Sequence, residues 1–198
     1  DSPDKINYEK MADDQAALLD LLKVGPVNVV GWSDGGIEAL LLGMRHPEKM
    51  KKIVSMAANL KPEGLQPEAV KWIHESVAEL KKTAATDPQA KRNLKVMEMM
   101  LTEPQIELKA LEKITAPTLI LASDHDLILD QHTLDIYHHI PNAQLNIFSN
   151  ALHTIPLDDP GRFTSVIDPF LKDAYKPRDR MAEALKSFET APQPASQK

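Results

Sequence analysis

Ser33 stands at the centre of a segment in which glycines flank a serine at the spacing G-x-S-x-G, with Gly31 before it and Gly35 after it. This pattern turns the chain so sharply between a strand and a helix that only small residues are tolerated beside the serine, and it leaves the hydroxyl exposed. The pattern arises often by chance, so its context decides its meaning. Here the apolar run VNVV precedes it and a helical pattern follows, which is the context expected for a nucleophilic serine.

A serine is a poor nucleophile near neutral pH unless a histidine accepts its proton and a carboxylate holds that histidine in the right tautomer. Two later segments offer such residues. The apolar run TLILA is followed by Asp124 and Asp126, and the run QLNIF is followed by His153. Because the carboxyl ends of parallel strands meet at one edge of a sheet, we predict that Ser33, one of the aspartates and His153 come together.

The elements that would position these residues alternate between strand and helix. Strands are predicted from short apolar runs at residues 27–30, 53–57, 118–122 and 144–148. Helices are predicted from the spacing of apolar residues at 7–22, from the turn after Ser33 to the residues before Pro47, at 130–139, and from Asp158 or Asp159 through Leu171. This alternation predicts an α/β protein with a parallel sheet and right-handed connections.

Residues 59–115 are too many for a simple crossover, and their pattern is charged and helical. We interpret them as a helical lid inserted into a core of residues 1–58 and 116–176. The lid contains a methionine-rich stretch in which Met97 and Met100 are candidates for the wall of a substrate pocket, since methionine adapts to varied apolar groups. The alternative, that these methionines are core residues, stays open.

The remaining residues, 177–198, are predicted to form a short helix followed by a tail. Met181, Leu185 and Phe188 recur at helical spacing. The last residues, APQPASQK, have the composition of a disordered segment.

The composition argues against several classes of function. A chain of 198 residues with 42% hydrophobic and 26% charged residues is expected to form one domain with a buried core. The net charge of -6 argues against nucleic acid or an anionic membrane as a standing partner, and no apolar run approaches the length of a membrane helix. The absence of cysteine excludes disulfides and thiolate chemistry but leaves the compartment open.

No metal or cofactor is predicted. Four histidines, His125, His132, His138 and His139, lie close together in the sequence near Asp124 and Asp130. Their spacing matches no recognised ligand motif, and no glycine-rich phosphate loop or dinucleotide motif is present. We expect these histidines to lie on a helix surface.

Three segments, GWSDGG, PTLILASDHDLI and NALHTIPLDDPGRF, resemble in this order the signature regions of the α/β-hydrolase superfamily, over nearly the whole chain. The resemblance implies that Ser33 is the nucleophile, Asp126 the acid and His153 the general base. It favours Asp126 because the family's acid usually ends a G-x-x-D type turn and is followed by an apolar pair; Asp124 stays the alternative. It also implies that the backbone N–H of Asp34 supplies half of an oxyanion hole.

The resemblance implies in addition that the first strands of the fold, with the second oxyanion donor, precede Asp1. We expect the sheet edge that such strands would cover to associate with that segment or with a second copy of the chain. Leu152 departs from the family pattern, which commonly has glycine before the histidine.

Within the superfamily, GWSDGG is most similar to biphenyl hydrolase-like proteins of the valacyclovir hydrolase type and to bacterial esterases. The preference of that branch for amino-acid esters implies that the Asp34 carboxylate attracts a cationic amine, unless it points away from the pocket. Trp32 would be either a pocket wall or a packing residue. The implied function is hydrolysis of a small carboxylic ester, with amide, lactone or carbon–carbon bond hydrolysis, or an inactive binding protein, as alternatives.

Overall fold

The computed structural model describes residues 5–176 and, beyond them, residues 181, 185, 186 and 188. Four parallel strands lie side by side in chain order: β1 (Val27–Trp32), β2 (Met50–Met56), β3 (Thr118–His125) and β4 (Ala143–Leu152). The α-helices are α1 (Tyr8–Leu22), α2 (Asp34–Arg45), α3 (Pro67–Thr83), α4 (Pro88–Met100), α5 (Asp130–His139), α6 (Ile155–Asp158) and α7 (Pro160–Lys172). The predicted parallel α/β architecture is confirmed.

Apolar side chains cover both faces of the sheet, because successive residues of a strand point to opposite sides. On β2 and β3, Ile53 and Ile120 pack into the core formed with α1, α2 and α5. Val54 and Leu121 pack into the core on the other face, under α6 and α7. Burial on both faces is the condition under which a parallel sheet is stable, and it explains the nearly unbroken apolar runs in these strands.

Every strand extends beyond its predicted range, and β2 shows why. The strand begins at Met50. The prediction began only at residue 53, because Lys51 and Lys52 interrupt the apolar pattern. Lys51 is exposed, whereas Lys52 is buried. The Lys52 ammonium donates to three carbonyl oxygens at the end of α7: Phe170 at 2.6 Å, Leu171 at 3.1 Å and Asp173 at 2.6 Å. Helix C-termini leave carbonyls without partners and favour a cation, so this buried lysine is compensated.

Helix α1 buries a narrower stripe than its sequence predicts. Tyr8, Ala12 and Ala16 are buried, at the four-residue spacing that places side chains on one face. Leu18 and Leu22, which are among the apolar residues that predict this helix, are 51% and 59% exposed. The small alanines allow α1 to approach α2 closely along this stripe, and the two leucines lie outside the contact.

The predicted insertion at residues 59–115 contains α3 and α4, which pack against each other. Its start is tied to the loop after β3, since the Gln66 N–H donates to the Leu127 carbonyl at 2.8 Å and Leu65 pairs with Ile128. The helical character agrees with the prediction; its action as a lid stays a prediction.

The short helix predicted within residues 177–198 lies mostly outside the described residues, as does the predicted tail. Met181, Leu185, Lys186 and Phe188 are described, and they are helical. Among the residues that the structure describes, no helix has the length and apolar character needed to cross a membrane.

His132 fixes the segment after β2 to α5. Its Nε2 accepts the N–H of Leu60 at 2.7 Å, which requires an unprotonated nitrogen. Burial lowers the pKa of His132; among its charged neighbours Asp135 and Glu63 act in the opposite direction and Lys61 in the same one. The expectation that the histidines of α5 lie on the surface is therefore wrong for His132, because the approach of the 59–64 segment covers it.

This contact predicts a pH dependence of stability. The pKa of His132 is lower in the folded protein than in the unfolded chain, so the unfolded chain binds the proton more readily. The stability contributed by neutral His132 is therefore present above the unfolded pKa of roughly 6.5 and is lost as the pH falls through the folded pKa. We expect the free energy of unfolding, from urea denaturation between about pH 7 and about pH 5, to fall more steeply in the wild type than in His132→Asn. His74→Asn, on the exposed surface of α3, should keep the wild-type slope. An unchanged slope in His132→Asn would contradict the assignment.

Candidate active site

Ser33 occupies the sharp turn between β1 and α2. Its backbone has φ 57° and ψ -120°, a conformation that a residue with a side chain rarely adopts. Its N–H donates to the carbonyl of Met56 on β2 at 2.9 Å, which holds the turn against the sheet. A Cβ on Gly31 would lie 1.9 Å from the Gly35 carbonyl oxygen, and one on Gly36 would lie 2.6 Å from the Met56 oxygen. Gly31 and Gly36 are thus required by close backbone contacts, whereas a Cβ on Gly35, the second glycine of the pattern, would meet nothing within 4 Å.

Three of the residues predicted to act together are in contact. His153 Nε2 lies 3.0 Å from Ser33 Oγ, and His153 Nδ1 lies 2.7 Å from Asp126 Oδ1. The side chain of His153 is 13% exposed and that of Asp126 is 1% exposed. An ionised Asp126 accepts a hydrogen bond from the Nδ1–H of His153, which leaves Nε2 as the unprotonated nitrogen that accepts from the serine hydroxyl.

The loop after β3 compensates the buried Asp126 carboxylate. Backbone N–H groups donate to it from Ser123 at 3.1 Å, Leu127 at 2.7 Å and Ile128 at 3.3 Å. Burying a charge is unfavourable unless hydrogen bonds replace those to water, and these donors together with His153 supply them. The carboxylate is therefore held in one orientation, facing the imidazole.

Asp124, the alternative acid, is not in contact with His153. Its two carboxylate oxygens accept the backbone N–H groups of Asn150 and Ala151. The two aspartates differ because Asp124 belongs to β3 and points along the sheet toward β4, whereas Asp126 follows the strand and turns back toward Ser33.

Asp34 is the first residue of α2, where a backbone N–H has no partner within the helix. The positive end of the helix dipole lies at the same place, so this N–H favours a developing negative charge. Its use as an oxyanion donor stays a prediction.

The Asp34 carboxylate has a partner that no sequence pattern indicated. The hydroxyl of Tyr8 donates to Asp34 Oδ1 at 2.8 Å. Burial, with the nearby Asp34 carboxylate, raises the pKa of Tyr8 above its ordinary value, so the phenol keeps its proton and donates. The two residues meet only because α1 packs on α2.

A cavity of about 30 Å³ opens at Ser33 and His153. Its other lining residues are apolar (Leu65, Ala69, Trp72, Ile73, Met100, Leu127 and Ile128) or polar (Tyr8, Asp34, Asn59 and Glu103). A larger cavity of about 330 Å³, between β4 and the end of α7, is lined by none of the three contacting residues.

Of the predicted pocket residues, Asp34 and Met100 line the small cavity, and Met97 and Trp32 do not. The cavity meets α4 only at its last residue, Met100, so Met97 one turn earlier is out of reach. Trp32 lies beside the imidazole instead, with its ring centroid 5.6 Å from that of His153 and its Nε1 donating to the His153 carbonyl at 2.8 Å. Trp72 was missed because its position on α3 carries no motif.

Within the described part of the chain, no group of three or more histidine, aspartate or glutamate side chains is arranged to hold a metal ion.

Comparison with known proteins agrees with this fold. A family model described as "alpha/beta hydrolase fold" matches residues 1–108, which is more than half of the 198 residues. The human protein "Serine hydrolase BPHL" is 25% identical over 179 residues, which cover 83% of this chain and 61% of that protein. The chain thus spans about three fifths of the length of that relative.

Two further proteins extend the comparison. A "2-hydroxymuconate semialdehyde hydrolase" from Pseudomonas putida is 25% identical over 202 residues, covering 86% of this chain and 71% of that enzyme. The crystal structure of MGS-M2, an α/β-hydrolase enzyme from a deep-sea metagenome library of the Medee basin, superposes with a TM-score of 0.73 at 20% identity, over 90% of this chain and 76% of that one. The chain therefore belongs to the α/β-hydrolase fold family.

Proposed function

We propose that the protein hydrolyses small carboxylic esters through an acyl-serine intermediate. The observation that carries this proposal is the continuous pair of hydrogen bonds from Asp126 to His153 at 2.7 Å and from His153 to Ser33 at 3.0 Å. A serine, a histidine and a buried carboxylate in this order form the group that activates a hydroxyl for attack on a carbonyl.

In the proposed reaction, His153 Nε2 accepts the Ser33 proton as Oγ attacks the ester carbonyl. The carbonyl oxygen becomes negatively charged and faces the N–H of Asp34. His153 then protonates the leaving alcohol, which leaves the acyl group on Ser33. Water attacks the acyl-serine with His153 again as the base, and His153 then returns that proton to Ser33 Oγ as the bond to the acyl group breaks and the carboxylic acid leaves. Asp126 holds the imidazole in the required tautomer and stabilises its charged form.

The cavity supports a neutral or cationic substrate over an anionic one. Asp34 and Glu103 contribute carboxylates to it, and no lysine or arginine is among its described lining residues. An ester carrying a cationic amine would bind beside Asp34, as the resemblance to biphenyl hydrolase-like proteins implies. The opposing consideration is that one Asp34 oxygen already accepts from Tyr8.

We also propose that α3 and α4 act as a lid. Ala69, Trp72 and Ile73 of α3 and Met100 of α4 line the cavity over Ser33. An apolar cover excludes water from the acyl-transfer step and strengthens electrostatic interactions within the site.

A second candidate is hydrolysis of a carbon–carbon bond by the same three residues, which the similarity to 2-hydroxymuconate semialdehyde hydrolase favours. Amides and lactones could be hydrolysed by the same acyl-serine mechanism. A protein that binds ligands without turnover is the remaining alternative.

A fluorophosphonate probe tests the proposal, because it reacts covalently with an activated serine. We expect the folded wild type to be labelled and Ser33→Ala to be unlabelled. Ser165→Ala, which alters an exposed serine of α7, should be labelled like the wild type. A folded wild type that resists the probe would overturn the proposal.

Turnover then distinguishes the substrates. p-Nitrophenyl acetate, a p-nitrophenyl amino-acid ester and 2-hydroxymuconate semialdehyde represent the neutral ester, the cationic ester and the carbon–carbon substrate. We expect the largest kcat/KM for the cationic ester, with Ser33→Ala inactive on all three.

A further inference from the structure

We propose that Asp124 is a positioning residue for His153: its carboxylate holds the main chain of Asn150 and Ala151, and so fixes the loop that directs the imidazole at Ser33. The proposal rests on the function proposed above. It gives a role to the aspartate that the sequence offered as an alternative acid.

The contacts are direct. The Asn150 N–H donates to Asp124 Oδ2 at 2.7 Å, and the Ala151 N–H donates to Asp124 Oδ1 at 3.0 Å. One carboxylate thus binds two successive amides, the second of them two residues before His153. Asn150 has φ 49°, a left-handed conformation that asparagine adopts more readily than most residues with a side chain.

The irregular pairing of β3 and β4 explains why this carboxylate is needed. Ser123 pairs with Phe148 and His125 pairs with Leu152, so a single residue of β3 lies opposite residues 149–151 of β4. Such a bulge leaves backbone N–H groups without ladder partners. The Asp124 side chain replaces the missing partners for Asn150 and Ala151.

Two other side chains hold the next two residues. Ser123 Oγ donates to the Leu152 carbonyl at 2.8 Å, and Trp32 Nε1 donates to the His153 carbonyl at 2.8 Å. The main chain from residue 150 to residue 153 is therefore bound at every residue by a side chain from β3 or β1. Leucine is accommodated at position 152 because that residue does not have a left-handed φ and is 58% exposed.

Asp124 differs from a catalytic acid in its environment. Its side chain is 41% exposed, with His125 Nε2 at 4.0 Å, whereas the side chain of Asp126 is 1% exposed. The two backbone N–H groups hold the pKa of the Asp124 carboxyl below its usual value. The carboxylate is thus charged, and able to accept both amides, across the pH range in which an imidazole acts as a base.

Replacing Asp124 tests the proposal on p-nitrophenyl acetate. Asp124→Ala removes both acceptors, and we expect kcat to fall about 10-fold with KM within about twofold, because a small misplacement of a catalytic group lowers the rate of the chemical step. Asp124→Asn keeps one carbonyl oxygen as an acceptor, so its kcat should lie between those of Asp124→Ala and the wild type. Asp168→Ala, which removes an exposed carboxylate paired with Lys172 on α7, should match the wild type.

The position of His153 is measured independently of turnover. The proton on Nδ1, hydrogen bonded to Asp126, is expected as a low-field ¹H NMR signal that is assigned by its loss in His153→Ala. We expect this signal to broaden or shift in Asp124→Ala while the melting temperature changes little, a combination that a merely structural role would not produce.

Two results would overturn the proposal. One is a wild-type kcat and an unchanged low-field signal in both Asp124 variants. The other is a loss of kcat in both variants that is fully accounted for by a loss of folded protein. Should Asp124→Ala fail to fold, Asp124→Asn decides between these outcomes. A wild type without turnover would contradict the proposed function instead, and the NMR comparison would still report on His153.

Discussion

Replacing Asp126 by asparagine is expected to lower kcat by about 10⁴-fold, as the equivalent change does in a well-studied serine hydrolase, with little effect on the fold. The asparagine amide can donate where the carboxylate only accepts, so it favours the imidazole tautomer whose Nε2 carries the proton. In that tautomer Nε2 cannot accept from Ser33 Oγ, although the distance of 3.0 Å is unchanged. Steady-state hydrolysis of p-nitrophenyl acetate measures the loss, and urea denaturation checks the fold.

Asp124→Asn is the matched control, because it makes the same change two residues away. We expect its kcat to stay within about 10-fold of the wild type, since misplacement without loss of a catalytic group has a smaller effect. If Asp124→Asn showed the large loss and Asp126→Asn the small one, the acid would be Asp124.

Replacing Gly31 by alanine is expected to lower the free energy of unfolding by about 3 kcal/mol or to prevent folding, the upper range for overpacking of a well-packed site. The new Cβ would lie 1.9 Å from the Gly35 carbonyl oxygen and 2.8 Å from the Gly36 nitrogen. These are backbone atoms of the turn and of the first residues of α2, so no side-chain rotation relieves the contact. Urea denaturation measures the change.

Gly35→Ala provides the control within the same motif. A Cβ on Gly35 meets nothing within 4 Å, and the residue lies in the first turn of α2. Because alanine has a higher helix propensity than glycine, we expect the free energy of unfolding to stay the same or rise by up to about 1 kcal/mol. If Gly31→Ala and Gly35→Ala had equal free energies of unfolding, the conclusion that close backbone contact at Gly31 excludes a side chain there would be wrong.

Local patterns predicted the order of the elements and the location of the site. The run VNVV, the glycines around Ser33 and the polar segments after two later strands are short, and their meaning depends on neighbours along the chain. Strand ends were harder to predict. The start of β2 could not be predicted, because a lysine at position 52 is not expected in a buried strand. The carbonyl groups that compensate its ammonium lie at the end of α7, far away in the sequence.

The sequence by itself therefore determined the fold class, the strained turn that presents Ser33, and the choice of His153 as its partner. Only the tertiary structure showed that Asp126 and not Asp124 contacts His153, placed Trp32 beside the imidazole and joined Tyr8 to Asp34. The reason is physical. A turn is specified by the sterics of a few consecutive residues, whereas these contacts join side chains whose separation depends on how strands pair and how helices cross.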